Sequence, residues 1–302
     1  MVVRQERNIN KMSCEIHLGD NLEIMSKIKT KFSLVYADIP FNTGKKQERN
    51  LITVKQSDSG NRKGFGDISY ETISEEKSAG YEDSFEDFES FIMPRIKLSY
   101  DLLTDNGSLM IHCDQRESHY LKVWMDKAFG RDKFLEELVW AFDWGARSKK
   151  LWSKKHNTIF WYVKNPKDYI FNYDAIDRVP YLSQGLVSPE KQALGKPPTS
   201  VWSMTIVPTN SKEKTGYATQ KPEHLLRRII KVHSNENDSI LDFFAGSGTT
   251  GAVALQQNRN CVMIDSNPEA IIIMQKRFEN FHHKVFLEDG LIVEHFPERK
   301  QD

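Results

Sequence analysis

Apolar positions along the chain fall into two repeating patterns that alternate from end to end. Short runs of apolar and β-branched residues predict strands at "CEIHLGD" (14–20), "FSLVYAD" (32–38), "NGSLMIHCD" (106–114), "LEELVWAFD" (135–143), "HNTIFWYVK" (156–164), "DSILDFF" (238–244) and "RNCVMID" (259–265). Between them, helical spacing predicts helices over 21–28, 117–130, 222–233, 249–258 and 268–279. A further helix is expected within 83–103, where Phe85, Phe88, Phe91, Ile92 and Ile96 recur on one face and Ser84 stands as the cap. Strands alternating with helices predict an α/β fold with a largely parallel sheet.

Two stretches break the pattern. Residues 42–80 are polar and glycine-rich and read as a long mobile loop. Residues 165–215 carry prolines at 166, 180, 189, 197, 198 and 208 and read as an inserted lobe of short elements. The chain thus divides into 1–164, the insert 165–215, and 216–302.

Composition narrows the class. The 302 residues include 42 Lys and Arg against 42 Asp and Glu, so net charge points to no partner. No apolar run is long enough to span a bilayer and the N-terminus has no apolar signal region, so a cytoplasmic protein without a membrane partner is expected. Cys14, Cys113 and Cys261 form no CxxC pair, which argues against a disulfide framework or a zinc site; no metal is expected. The charge is uneven, however. Residues 67–90 hold nine acids and one base, and read as a solvated loop and helix start. Residues 144–155, "WGARSKKLWSKK", hold five bases, no acid and two tryptophans. By itself that stretch reads as a solvated basic loop, although basic residues interleaved with aromatics also suit phosphates and bases.

The chemistry concentrates at strand ends. In "LVYADIPFNTG" a strand stops on Asp38 and runs at once into Ile39, Pro40 and Phe41. This is either a capped turn or the wall of a pocket for a flat, amine-bearing ring. In residues 239–271 a strand ends on Asp242, a small-residue turn leads into a helix at Thr249, and the next strand ends on Asp265. Glycines admit a ligand close to the backbone, the helix start presents free N–H groups, and Asp265 is placed for a ribose diol, so a nucleoside cofactor is expected. Gly246, Gly248 and Gly251 match GxGxxG, which keeps a nicotinamide dinucleotide open. Asp242 would repel a pyrophosphate and suits an ammonium, such as the methionine tail of S-adenosyl-L-methionine carries; without a lysine after the glycines a P-loop is excluded.

"LDFFAGSGTT" resembles the cofactor loop of amino-directed DNA methyltransferases, and "ADIPF" resembles their D-P-P-Y/F catalytic element. "HLGDNLEIMSKI", "NGSLMIHCD" and "ATQKPEHLLRRII" are similar to further family stretches, and the order, catalytic element before cofactor loop, is that of the permuted beta class. The resemblance implies a doubly wound, Rossmann-like sheet with helices on both faces and a small inserted target-recognition region at 165–215. It implies a restriction–modification enzyme that moves a methyl group from S-adenosyl-L-methionine to the exocyclic amine of a base flipped out of double-stranded DNA.

The family pattern assigns roles residue by residue. Asp38 and the main-chain oxygen of Ile39 would accept hydrogen bonds from the amine and favour its rehybridisation, with Pro40 stiffening the turn and Phe41 stacking on the base. Asp242, Phe243, Phe244, Ala245, Gly246, Ser247, Gly248, Thr249 and Thr250 would line the methionine side of the cofactor, with Asp38 nearby, and Asp265 and Ser266 its ribose. Asp20 and Asn21 would lie near its adenine, although Asp20 also reads as a plain helix cap. Gln220 and Lys221 would close the cleft. Lys45 and Lys46, with Arg49, Arg62 and Lys63, would meet DNA, as would Arg147, Lys149, Lys150, Lys154 and Lys155. Two positions depart from the family: Ile39 and Phe243 replace prolines. No proline precedes a cysteine, which excludes carbon-5 methylation of cytosine. An aspartate opening the motif favours adenine N6 and leaves cytosine N4 open. Methylation of RNA or protein, a catalytically silent subunit, a cognate restriction endonuclease and a homodimer also stay open.

Overall fold

The computed structural model describes residues 12–297 apart from 48–49, 58, 61, 64–68, 78–79, 146 and 209. The chain opens with β1 (Ser13–Leu18), α1 (Asn21–Lys27) and β2 (Phe32–Asp38). An insert follows with β3 (Lys45–Gln47), β4 (Asn50–Gln56), β5 (Arg62–Lys63), β6 (Ser69–Lys77) and β7 (Tyr81–Asp83). Next come α2 (Phe88–Asp101), β8 (Leu103–Cys113), α3 (Ser118–Phe129) and a hairpin of β9 (Phe134–Ala141) and β10 (His156–Val163). After α4 (Pro189–Leu194) and β11 (Val201–Ser203), the last third runs α5 (Glu223–His233), β12 (Ser239–Asp242), α6 (Thr249–Gln256), β13 (Asn260–Asp265), α7 (Pro268–Arg277), β14 (His282–Phe286) and β15 (Ile292–His295).

Ten strands form one sheet in the order β11-β9-β10-β8-β2-β12-β13-β1-β14-β15. From β8 through β14 every neighbouring pair is parallel, and β10 and β15 are antiparallel to their neighbours β8 and β14. Successive side chains of a strand point to opposite faces, and both faces of β2 are covered. Val35 and Ala37 pack under Met25 of α1, Ile92 and Ile96 of α2 and Leu121 of α3. Leu34 and Tyr36 face Leu225 and Ile229 of α5, Val253 of α6 and Ile271 of α7. The α/β fold with a largely parallel sheet expected from the alternation, and the doubly wound form that the resemblance implies, are therefore the ones adopted.

Three expectations need correction. Residues 42–80 are not one loop: β4 pairs antiparallel with β6 from Asn50 opposite Lys77 to Gln56 opposite Tyr70, β5 extends that sheet, and β3 pairs with β7. The β-branched residues Ile52, Thr53, Val54 and Thr72 favour strands, but their low hydrophobic content hid the pattern. Helix α2 is capped by Asp87, whose carboxylate accepts from the Ser90 N–H at 3.0 Å, and not by Ser84. The Phe85 N–H instead donates to Asn42 Oδ1 at 3.0 Å, which keeps that residue out of the helix. The weakly patterned region also supplies β11, which extends the main sheet beside β9.

The glycines of the turn before α6 fix how closely that helix packs. Gly248 has φ +71°, and a Cβ there would lie 2.5 Å from Met274 Cγ and 3.0 Å from Phe278 Cζ. Gly248→Ala would combine left-handed strain with overpacking. We expect it to lower stability by about 2–4 kcal/mol, read as a reduced midpoint in urea unfolding; an unchanged midpoint would refute this packing argument.

Candidate active site

Parallel strands bring their carboxyl ends to one edge of the sheet, and ligand crevices form there. Here that edge gathers Asp38 of β2, Asp242 of β12 and Asp265 of β13 around a cleft of about 290 Å³. All three acids sit two residues after core side chains, Tyr36, Ile240 and Met263, which pack against the helices of the α5–α7 face. Period-two alternation therefore turns all three toward the same side. Pro40, Tyr81, Phe85 and Phe91 line the cleft with Tyr217, Thr219 and Lys221. Phe244, Ala245, Gly246, Ser247, Thr249, Thr250 and Ser266 add to the lining, with Tyr36 and Leu226.

The three carboxylates are compensated to different degrees. Asp265 accepts the Gly246 N–H at 2.7 Å and the Asn267 N–H at 2.8 Å. Burial raises its pKa and these N–H groups oppose the shift. Asp242 accepts the Thr250 hydroxyl at 2.6 Å and the Phe244 N–H at 3.1 Å. Burial pushes its carboxyl up to about 7 against those hydrogen bonds. Asp38 receives the Lys221 ammonium on Oδ2. Its Oδ1 is buried without a hydrogen-bond partner among the described residues. Burial raises the Asp38 pKa, and the Lys221 ammonium opposes that rise. A buried acceptor left unsatisfied costs about 1–3 kcal/mol, so this oxygen is strained toward a donor that the fold does not supply.

Behind Asp38 the register of β2 and β8 places His112 opposite it. His112 Nδ1 shares a hydrogen bond with the Tyr36 hydroxyl at 2.7 Å and lies 3.7 Å from Asp38 Oδ1. Burial, reinforced by Lys221, holds the imidazole pKa well below its ordinary value, so the ring is neutral.

The other residues singled out in the sequence take varied places. Ile39 is in the core, and its N–H donates to His112 O at 3.2 Å, a bond that a proline could not make. Phe243 is likewise core, where an aromatic ring fills volume between sheet and α1–α3. Asp20 caps α1 and receives Arg95, while Asn21 Nδ2 donates to Phe243 O at 2.6 Å; neither lines the cleft, and Asn21 braces the turn after β12 from behind. Gln220 ties its own loop, accepting from Thr215 N–H and donating to Glu213 O. Phe41 is half-buried, its ring centre 6.1 Å from His112 and 5.2 Å from Lys221 Nζ. Tyr36 was legible from alternation, two residues before Asp38. Tyr81, Tyr217 and Thr219 were not, because they sit in segments without a periodic pattern.

The basic stretch emerges from the same edge as the cleft, since the β9–β10 turn opens where Thr158 pairs with Cys113, next to His112. Trp144 is 69% and Trp152 94% exposed, and Lys149, Lys150 and Lys154 are exposed with them. Arg147 pairs with Asp143, and Lys155 Nζ donates to Trp144 O at 2.8 Å. Lys45 and Lys46 are exposed on β3. Arg62 and Lys63 lie on β5, and Arg49 falls outside the described residues. No described residue of 165–215 lines the cleft. That segment starts at the opposite edge, where the Ile170 N–H donates to Asn106 O, and climbs α5 through the Asp177–Arg228 pair to β11. Among the described residues there is no metal-binding group of His, Cys, Asp and Glu, and no helix is long and apolar enough to cross a membrane.

Residues 32–276 match the model of a family described as DNA methylase (N6/N4). The chain belongs to this family. The DNA adenine methyltransferase YhdJ of Escherichia coli (strain K12) is 30% identical over 283 residues, covering 91% of this chain and 85% of that protein. The solved M1.HpyAVI–SAM complex superposes with a TM-score of 0.57 at 20% identity, covering 87% of this methylase and 98% of that chain. The PvuII DNA methyltransferase, cytosine-N4-specific, gives a TM-score of 0.61 at 16% identity, with 89% of each chain covered.

One clamp holds the methylase's glycine loop. Arg277 Nη1 donates to Ser247 O at 3.2 Å and Thr249 Oγ1 at 3.1 Å, and Nη2 to Glu223 at 2.7 Å. Arg277→Met removes all three and leaves Glu223 half-paired. We expect a loss of about 2–4 kcal/mol with faster hydrogen exchange at residues 246–250; protection equal to wild type would show that the loop is held otherwise.

Proposed function

We propose that this DNA methylase transfers a methyl group from S-adenosyl-L-methionine to the N6 amine of an adenine flipped out of duplex DNA, as the modification enzyme of a restriction–modification pair. The observation that carries the reading is Asp38 Oδ1, a buried carboxylate oxygen with no hydrogen-bond partner among the described residues, in the cleft beside Pro40 and near Phe41. Cytosine N4 is the second reading, supported by the fold similarity to a cytosine-N4-specific enzyme.

The cleft suits the cofactor. Asp242 offers a carboxylate to an ammonium, Asp265 keeps lone pairs for a ribose diol beyond its two N–H bonds, and Phe91 and Phe244 give aromatic walls for a purine. A side chain at Gly246 would press on Tyr217, its Cβ 3.1 Å from the ring, so glycine there keeps the cleft open. When bound, S-adenosyl-L-methionine supplies an electrophilic methyl group on a sulfonium, whose bonding pair stays with sulfur. An exocyclic ring amine is a poor nucleophile because its lone pair is delocalised into the base. Asp38 Oδ1 accepts one N–H, draws the nitrogen toward tetrahedral geometry, and receives the proton that the nitrogen sheds as it gains its new bond to carbon. The Ile39 carbonyl is the acceptor assigned to the second N–H, and Phe41 a stacking face for the base.

DNA would lie across the edge from which the cleft, the β3–β7 insert and the β9–β10 turn all emerge. Lysines and exposed tryptophans there suit phosphates and unstacked bases. Sequence recognition is assigned to these loops together with residues 204–216, and the stretch 165–200 packs against α5 as support. A cytoplasmic setting fits the three buried, unpaired cysteines.

Purified wild type incubated with labelled cofactor and duplex DNA should yield N6-methyladenine on nucleoside analysis, and Asp38→Ala should keep cofactor binding while losing transfer by at least about 1,000-fold. N4-methylcytosine would select the second reading, and transfer retained by Asp38→Ala would overturn the role of Asp38. Cofactor binding should also depend on pH. Asp242, with its carboxyl at about 7, must shed a proton to pair with an ammonium, so affinity should rise between pH 6 and 8, by up to about tenfold per unit below 7. Calorimetry in buffers of different ionisation enthalpy should show proton release; a pH-independent affinity would remove Asp242 from that role.

A further inference from the structure

We propose that Lys221 is a positioning residue of the reaction centre: its ammonium holds Asp38 by Oδ2, keeps that carboxylate charged, and leaves Oδ1 alone to meet the target amine. The inference rests on the methyltransferase reading and goes past the cleft-closing role that the family resemblance implies for this lysine.

The geometry is specific. Lys221 lies 183 positions from Asp38 in sequence, yet bonds to it from the loop leading into α5. Its side chain is only 12% exposed. The same residue is tied at two further points, because Nζ also donates to Thr219 O at 3.3 Å and Lys221 O accepts the Thr249 hydroxyl at 3.0 Å. The ammonium is thus fixed relative to both the catalytic element and the cofactor loop. It lies 5.2 Å from the centre of the Phe41 ring, so a base stacking on Phe41 would meet the ion pair at its edge.

Charge makes the pairing necessary. From β8, neutral His112 and Asp114 act on Asp38, with the Cys113 thiol on the other face of the sheet; from the insert Tyr81 and Asp83 do so, from β12 Asp242, and on its own strand Tyr36. Asp114 has its own cation in Arg116, and Asp83 is satisfied by the Asn42 N–H and the Thr43 hydroxyl. Lys221 is the cation that opposes burial at Asp38. Without it, a buried carboxyl among three other acids would take up a proton, and a protonated carboxyl would no longer accept a proton from the amine. His112 cannot replace it, because the ring is neutral and its Nδ1, 3.7 Å from Oδ1, is engaged with Tyr36.

The experiment compares wild type with Lys221→Met and Lys221→Arg. First, the ¹³C carboxyl shift of Asp38 is titrated in the unliganded protein, assigned by its disappearance in Asp38→Asn. Second, the pH profile of kcat/KM for methyl transfer and the cofactor Kd are measured. Losing an opposite charge at contact distance should raise the Asp38 titration, and with it the acid limb of kcat/KM, by about one to three pH units. Lys221→Arg should restore both, and cofactor Kd should stay within about threefold of wild type in every variant. An acid limb and carboxyl titration unmoved in Lys221→Met would overturn the proposal, and a weakened Kd with an unmoved limb would return Lys221 to cofactor binding. If Lys221→Met does not fold, Lys221→Gln, which keeps a hydrogen-bond donor and removes only the charge, carries the same comparison. The titration does not depend on turnover: wild type that transfers no methyl group would refute the methyltransferase reading, and the carboxyl shift would still decide whether Lys221 keeps Asp38 charged.

Discussion

Burying several carboxylates in one small cleft is the constraint around which this protein is arranged. Asp38, Asp242 and Asp265 end adjacent or near-adjacent strands of a parallel sheet, turn to the same face, and lose much of their hydration. Each would protonate unless something compensates its charge. Asp265 is held by two backbone N–H groups, Asp242 by one N–H and one hydroxyl, and Asp38 by an ammonium on a single oxygen. The partners are graded: Asp265 and Asp242 are bonded within their own loops, and Asp38 is met on one oxygen by a distant side chain, while burial still raises all three. That grading separates groups suited to holding a bound molecule from the one group left free to engage it.

The compensation in turn depends on topology. The Asp38 turn lies early in the chain and the glycine loop late, yet β2 and β12 are neighbours, with Ile240 opposite Leu34. The lysine that completes Asp38 comes from the segment just before α5, the helix that covers the same face of β2. Arg277 on α7 then ties the glycine loop to α5 through Glu223. Helices α5, α6 and α7 therefore do more than cover the sheet; they fix the distances among residues that no local interaction could bring together.

Much of this was legible in the residue order. The alternation of strand and helix, the glycine turn between Asp242 and Thr249, and the acid closing each of three strands follow from local patterns, and the range that matches the DNA methylase family, residues 32–276, contains all three acids. Other residues carried signals that pointed elsewhere. Asp20 and Asn21 look like ligand contacts in the family pattern, but here they cap α1 and brace the Phe243 carbonyl. Ile39 looks like a lost proline, but its N–H bonds to His112 O and so ties the turn after Asp38 to β8. The insert after Phe41 looks like loop because its strands are polar, yet β7 contributes Tyr81 to the cleft wall.

The amino-acid order by itself determined the alternating strands and helices that carry the cleft, the largely parallel sheet and the identity of the acids, because strands, helices and tight turns are set by interactions among residues a few positions apart. Tertiary structure alone decided which acid keeps an unpartnered oxygen, that a lysine 183 residues away stands against it, and that the basic turn, the insert and the cleft share one edge. Those facts depend on strand order and on burial, and burial exists only once distant segments have packed together and water has been removed from between them.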